Sequence, residues 1–77
     1  MLSAYVLIET EVGKVARVAQ AITDLDGVQL AEDLAGPYDV IAKIHASGLD
    51  QLGRLVASRI QVVDGVTRTL TCTVLHR

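Results

Sequence analysis

Gly36-Pro37-Tyr38-Asp39 brings the chain's only proline, one of its two tyrosines and a carboxylate into four consecutive residues. A plain hairpin needs little more than Asn-Gly, so the added ring and charge could form one wall of a ligand site. The simpler explanation is turn chemistry, for which glycine and proline suffice, with Asp39 a solvated charge. A second feature lies near the end of the chain, where Thr67, Thr69, Thr71 and Thr73 alternate without interruption. In a strand these side chains share one face at a spacing of about 6.5–7 Å, and each hydroxyl is both donor and acceptor. Threonine also simply suits an exposed strand. Together, a carboxylate and a row of hydroxyls suit a zwitterion. The aspartate takes the ammonium, while hydroxyls and backbone N–H groups take the carboxylate.

Other chemistry has little support. His45 and His76 have no aspartate or nucleophile at useful spacing. Glu9, Glu11, Glu32 and Asp33 belong to no HxH or HExxH pattern, and the chain has neither a Walker loop nor a GxGxxG fingerprint. No catalytic residue, metal site or cofactor is therefore expected. Cys72 is the single cysteine. It cannot form a disulfide within the chain or a CxxC knuckle, and the expectation is a small buried residue in a reducing compartment.

Positioning the turn and the threonine row requires a scaffold. Residues 3–10 are β-branched and apolar and predict a strand. Val15, Val18, Ala19 and Ile22 follow i, i+3, i+4, i+7 spacing and predict a helix over 13–25, stopped by Asp26-Gly27 with the glycine at C′. Strands are predicted over 28–34, 38–46 and 66–75. A second helix carries Leu49, Leu52, Leu55, Val56 and Ile60 on its apolar stripe, with Ser47 as N-cap and Asp50 three residues on. The order β-α-β-β-α-β is internally doubled: Asp-Gly-Val recurs at 26–28 and 64–66, and at the same spacing Val18 matches Val56 and Ile22 matches Ile60. Two β-α-β units predict an α+β, ferredoxin-like fold, a four-stranded antiparallel sheet with two helices on one face. The opposite face then exposes Tyr5, Leu7 and Ile41. Scattered apolar residues on a surface are ordinary, but a patch on so small a domain predicts a subunit interface.

The 77 residues make one domain, of which 51% are hydrophobic and 21% charged, as in a globular chain. The formal charge of −2 argues against a free-standing nucleic-acid binder and an electrostatic membrane anchor. With two tyrosines and no other aromatic residue, a base-stacking platform has almost nothing to stack on. No run reaches the roughly 18 apolar residues of a membrane span, and the start does not match a signal peptide. The expected location is the cytoplasm. A chain this short buries a modest core, which again favours oligomerisation.

Three stretches in this order, "SAYVLIETEVGK", "GPYDVIAKI" and "DGVTRTLTCTVL", resemble the C-terminal effector-binding domain, called RAM, of the leucine-responsive and asparagine regulator (Lrp/AsnC) family of transcription factors. The resemblance spans essentially the whole chain, 1–77. It implies a dimer built through the sheets, higher rings such as octamers or decamers, and amino-acid effectors in clefts between dimers. The family's glycine-x-tyrosine-aspartate turn maps onto Gly36, Tyr38 and Asp39, and its polar C-terminal strand positions onto Thr69 and Thr71. Pro37 departs from the more usual polar residue there. Family members carry a helix-turn-helix domain ahead of this one, whereas here the first strand follows Met1 directly, so a stand-alone version without direct nucleic-acid binding is expected. The alternatives are an assembly-only domain that co-oligomerises with full-length regulators, and a small dimeric α+β barrel enzyme, for which His45 is the one acid/base candidate.

Overall fold

The computed structural model describes residues 1–75; His76 lies outside them. Strand β1 spans Leu2–Thr10, helix α1 Val15–Thr23, β2 Val28–Asp33, β3 Val40–Ala46, helix α2 Leu49–Leu55 and β4 Val66–Thr73, with a π-helical segment over Val56–Ile60 extending α2. The strands form one antiparallel sheet in the order β2-β3-β1-β4. This is the expected ferredoxin-like α+β fold.

The period-2 pattern sorts the sheet into two faces. Ala4, Val6 and Ile8 of β1 and Val40, Ala42, Ile44 and Ala46 of β3 are buried under the helices. They meet Val18, Ala19 and Ile22 of α1 and Leu52, Val56 and Ile60 from the second helical stretch. Among the described residues no polar or charged side chain is buried, so the core is held by apolar contact alone. Each fully buried isoleucine contributes about 1.5–3 kcal/mol relative to exposure. No helix among the described residues is long and apolar enough to cross a membrane.

The internal repeat has a backbone cause. Gly27 and Gly65 both adopt positive φ, +91° and +101°, a conformation glycine takes without a steric penalty. Each carbonyl receives an N–H from the other half of the chain: His45 donates to Gly27 at 3.0 Å and Glu11 to Gly65 at 2.8 Å. The two Asp-Gly-Val turns thus start β2 and β4 against their neighbouring strands.

Local details differ from expectation. Helix α1 ends at Thr23, and Gly27 sits in the following turn rather than at C′. Gly48, not Ser47, caps α2, with no side-chain cap bond. Instead the Gln51 side chain reaches back to the Ser47 N–H, satisfying a donor near the helix start from inside the helix. Strand β3 begins at Val40, which leaves Tyr38 and Asp39 in the loop.

Candidate functional site

The Gly36–Asp39 turn is tied to β1 through Asp39. Thr10 donates its backbone N–H to Asp39 Oδ2 at 2.8 Å and its hydroxyl to the same oxygen at 3.2 Å. The Asp39 N–H donates to the Ile8 carbonyl, and the Leu34 N–H to the Asp39 carbonyl, both at 2.8 Å. Asp39 therefore holds the turn against the end of β1, a role for which Thr10 gave no sequence signal because its partner lies 29 residues away.

Gly36, Pro37 and Tyr38 line an open, mainly apolar concavity of about 360 Å³ with Leu7, Leu34 and Ala35. Leu7 belongs to the sheet face the helices leave uncovered. Register places Leu7 between Ile41 and Leu70, and Tyr5 between Lys43 and Cys72, as cross-strand neighbours. Tyr5, at 37% exposure, and Leu70, at 45%, lie open to solvent. The Lys43 ammonium sits 5.9 Å from the centre of the Tyr5 ring, within cation–π range. The Arg68–Glu9 ion pair spans 3.5 Å at one end of this face, and His45 lies opposite Ser3 near the other. Tyr5, Leu7 and Ile41 thus share one continuous apolar surface with Leu70.

Cys72 corrects an expectation: it is exposed, not buried. Strand β4 is a sheet edge, and its register opposite Tyr5 puts the thiol on the uncovered face.

The threonines lie on the other side. Thr69, Thr71 and Thr73 pair with Ile8, Val6 and Ala4, so their hydroxyls project on the helix side, at the edge where Thr71 and Thr73 remain exposed. Thr69 is half-buried and its Oγ1 accepts the Gln61 amide N–H at 3.0 Å. The row breaks at Thr67. A register shift between Glu9 and Thr10 makes Thr67 the extra residue on β4 and lets Val66 pack on the core, as a β-bulge does. Within one chain Asp39 and the threonines are not brought together. Asp39 meets β1 from the β3 side, through the Ile8 carbonyl and Thr10, whereas Thr69 and Thr71 pair with Ile8 and Val6 from the β4 side, so β1 lies between them. Among the described residues no three His, Cys, Asp or Glu side chains cluster as a metal site.

Comparison with known proteins agrees with this fold. A Thermus thermophilus protein of known crystal structure superimposes with a TM-score of 0.94 at 30% identity, over 100% of this chain and 96% of its own. A transcriptional regulator of Neisseria meningitidis, solved as its L-methionine complex, shares the fold with a TM-score of 0.85 at 18% identity, over 97% of this chain and 50% of its own. By sequence, an uncharacterised HTH-type transcriptional regulator of Pyrococcus abyssi is 33% identical over 55 residues, 71% of this chain and 37% of the regulator. The chain thus spans a little over a third of the length of such curated relatives. The model of the Lrp/AsnC ligand-binding domain matches residues 3–77, and with this match over nearly the whole chain, the chain belongs to the Lrp/AsnC ligand-binding domain family of transcriptional regulators.

Proposed function

We propose that this domain is a non-enzymatic regulatory module that oligomerises through its uncovered sheet face and binds an amino acid in clefts between dimers. The observation that carries the reading is the concavity of about 360 Å³ formed by Leu7 with Gly36, Pro37 and Tyr38, the three residues that lead into Asp39. It lies where the turn meets the uncovered face, so a second copy on that face would bring new walls close to it. Asp39 would take the ligand's ammonium, and Thr69 and Thr71 its carboxylate or a bridging water. Because Asp39 and the threonines do not meet within one chain, the two sets would come from different copies. The L-methionine complex of the Neisseria regulator supports an amino acid as the ligand class. Its mode of action would be to modulate transcription from the cytoplasm, alone or assembled with full-length regulators, which would supply the DNA contacts.

A second reading, assembly without a ligand, is favoured by one observation: Asp39 Oδ2 and the Thr69 hydroxyl already have partners in Thr10 and Gln61. Thermal-shift measurements against the twenty L-amino acids, paired with light scattering with and without each, separate the two. A saturable shift from at least one amino acid, abolished in Asp39→Ala, supports the effector site. Assembly with no shift from any amino acid at millimolar concentration supports the second reading.

A further inference from the structure

We propose that Thr10 is the positioning residue of the Asp39 carboxylate, and that the pair leaves one oxygen, Oδ1, to receive one ammonium and disfavours a guanidinium. The inference rests on the effector site proposed above and names what that site selects.

Strand β3 begins at Val40, opposite Ile8. Thr10, two residues further along β1, has no β3 residue facing it, and an unpaired N–H at that point needs an acceptor. Asp39 Oδ2 supplies it, and the Thr10 hydroxyl adds a second donor to the same oxygen. With its N–H on Ile8 and its carbonyl on Leu34, Asp39 has every hydrogen-bonding group engaged except Oδ1, to which no described residue donates. No buried side-chain nitrogen or oxygen among the described residues lacks a partner, so Oδ1 is not sealed away from solvent. Thr10 is itself anchored on its other side, where it pairs with Val66 at the β-bulge. The carboxylate cannot turn without breaking both bonds to Thr10.

This geometry has a chemical consequence. A guanidinium binds a carboxylate best as a fork, with two parallel N–H bonds to two oxygens. Here one oxygen already accepts two protons. A primary ammonium, a compact charge with three rotatable donors, needs only the remaining one. The site therefore suits an α-amino group.

Four variants test this: Thr10→Val, Thr10→Ser, Asp39→Asn and Asp39→Ala. Asparagine keeps an acceptor oxygen for Thr10 but replaces Oδ1 with an NH₂ donor, so it separates the clasp from ammonium binding. The first measurement is NMR amide exchange in the ligand-free protein. The Thr10 amide should be protected in the wild type, Thr10→Ser and Asp39→Asn, and exchange at least about tenfold faster in Asp39→Ala, as for loss of a charge-assisted bond. Equal exchange in the wild type and Asp39→Ala overturns the clasp. The second is calorimetry with the twenty L-amino acids and, for the tightest binder, its analogue with the α-ammonium converted to a guanidinium. Thr10→Val should weaken binding about fivefold, Thr10→Ser should stay within about twofold, and Asp39→Asn and the guanidino analogue should each lose about tenfold or more. Wild-type affinity in Thr10→Val, or equal binding of the guanidino analogue, overturns the proposal. If no amino acid binds the wild type, the effector reading fails and the role of Oδ1 fails with it, while the exchange data still decide whether Thr10 holds Asp39.

Discussion

Replacing Gly65 with alanine imposes two costs at the entry to β4. Its φ of +101° is a region L-residues rarely occupy, and holding one there costs about 1–3 kcal/mol. A Cβ would also lie 3.0 Å from Val18 Cγ2, 3.0 Å from Lys14 Cδ and 3.1 Å from Lys14 Cβ. The Lys14 side chain is part-exposed and its outer carbons can swing away. Val18 is fully buried and β-branched, so it has little freedom to yield. Crowding of this kind typically costs about 1–3 kcal/mol. A combined loss of about 2–6 kcal/mol follows, and in a domain of this size even its lower end lowers Tm by about 8–16 °C. Gly53→Ala is the control. It lies inside α2 with nothing within 4 Å of an added Cβ, so the same change should stabilise by about 0.5–1 kcal/mol through helix propensity. Urea unfolding followed by circular dichroism, at one fixed protein concentration because assembly shifts the midpoint, measures both. A Gly65→Ala loss under about 1 kcal/mol would refute the packing and strain derived for this turn.

Leu7→Glu puts a charge at the centre of the uncovered sheet face, and light scattering should show the wild-type assembly falling to monomer; a stable wild-type monomer at micromolar concentration would remove the interface reading. Cys72, on that same face, should react with maleimide much more slowly in the assembled wild type than in Leu7→Glu, and equal rates would place the interface elsewhere. Asp39→Ala should weaken amino-acid binding by about tenfold or more against a few-fold for Thr69→Val or Thr71→Val, following the difference between charge-assisted and neutral hydrogen bonds, as read by calorimetry. The same Asp39→Ala change should also cost about 1–3 kcal/mol of stability, because it strips an acceptor from the Thr10 N–H; an unchanged urea midpoint would contradict the clasp.

Much of the scaffold was legible because it follows from local periodicity. The alternation in residues 3–10 and 38–46 separated core from open face, and Ala4, Val6, Ile8, Val40, Ala42 and Ile44 are all buried. The i, i+3, i+4, i+7 spacing of Val15, Val18, Ala19 and Ile22 identified the inward stripe of α1, of which the last three are buried. The doubled Asp-Gly-Val marked two turns that share a positive-φ glycine. Element ends were less legible, because the sequence cannot show when a neighbour replaces a local cap, as Gln51 does at Ser47.

The sequence by itself determined the element order, the two faces of the sheet and the candidate residues of the turn, since each depends on side-chain type and short-range spacing. Tertiary structure alone decided what those residues touch. It paired Asp39 with Thr10 across 29 positions of chain because β3 starts too late to provide the acceptor. It turned Cys72 outward because β4 is a sheet edge with Tyr5 on its uncovered side. It also placed Thr69 and Thr71 on the face opposite Leu7, because each shares a face with its cross-strand partner, Ile8 or Val6, and successive residues of a strand point to opposite sides.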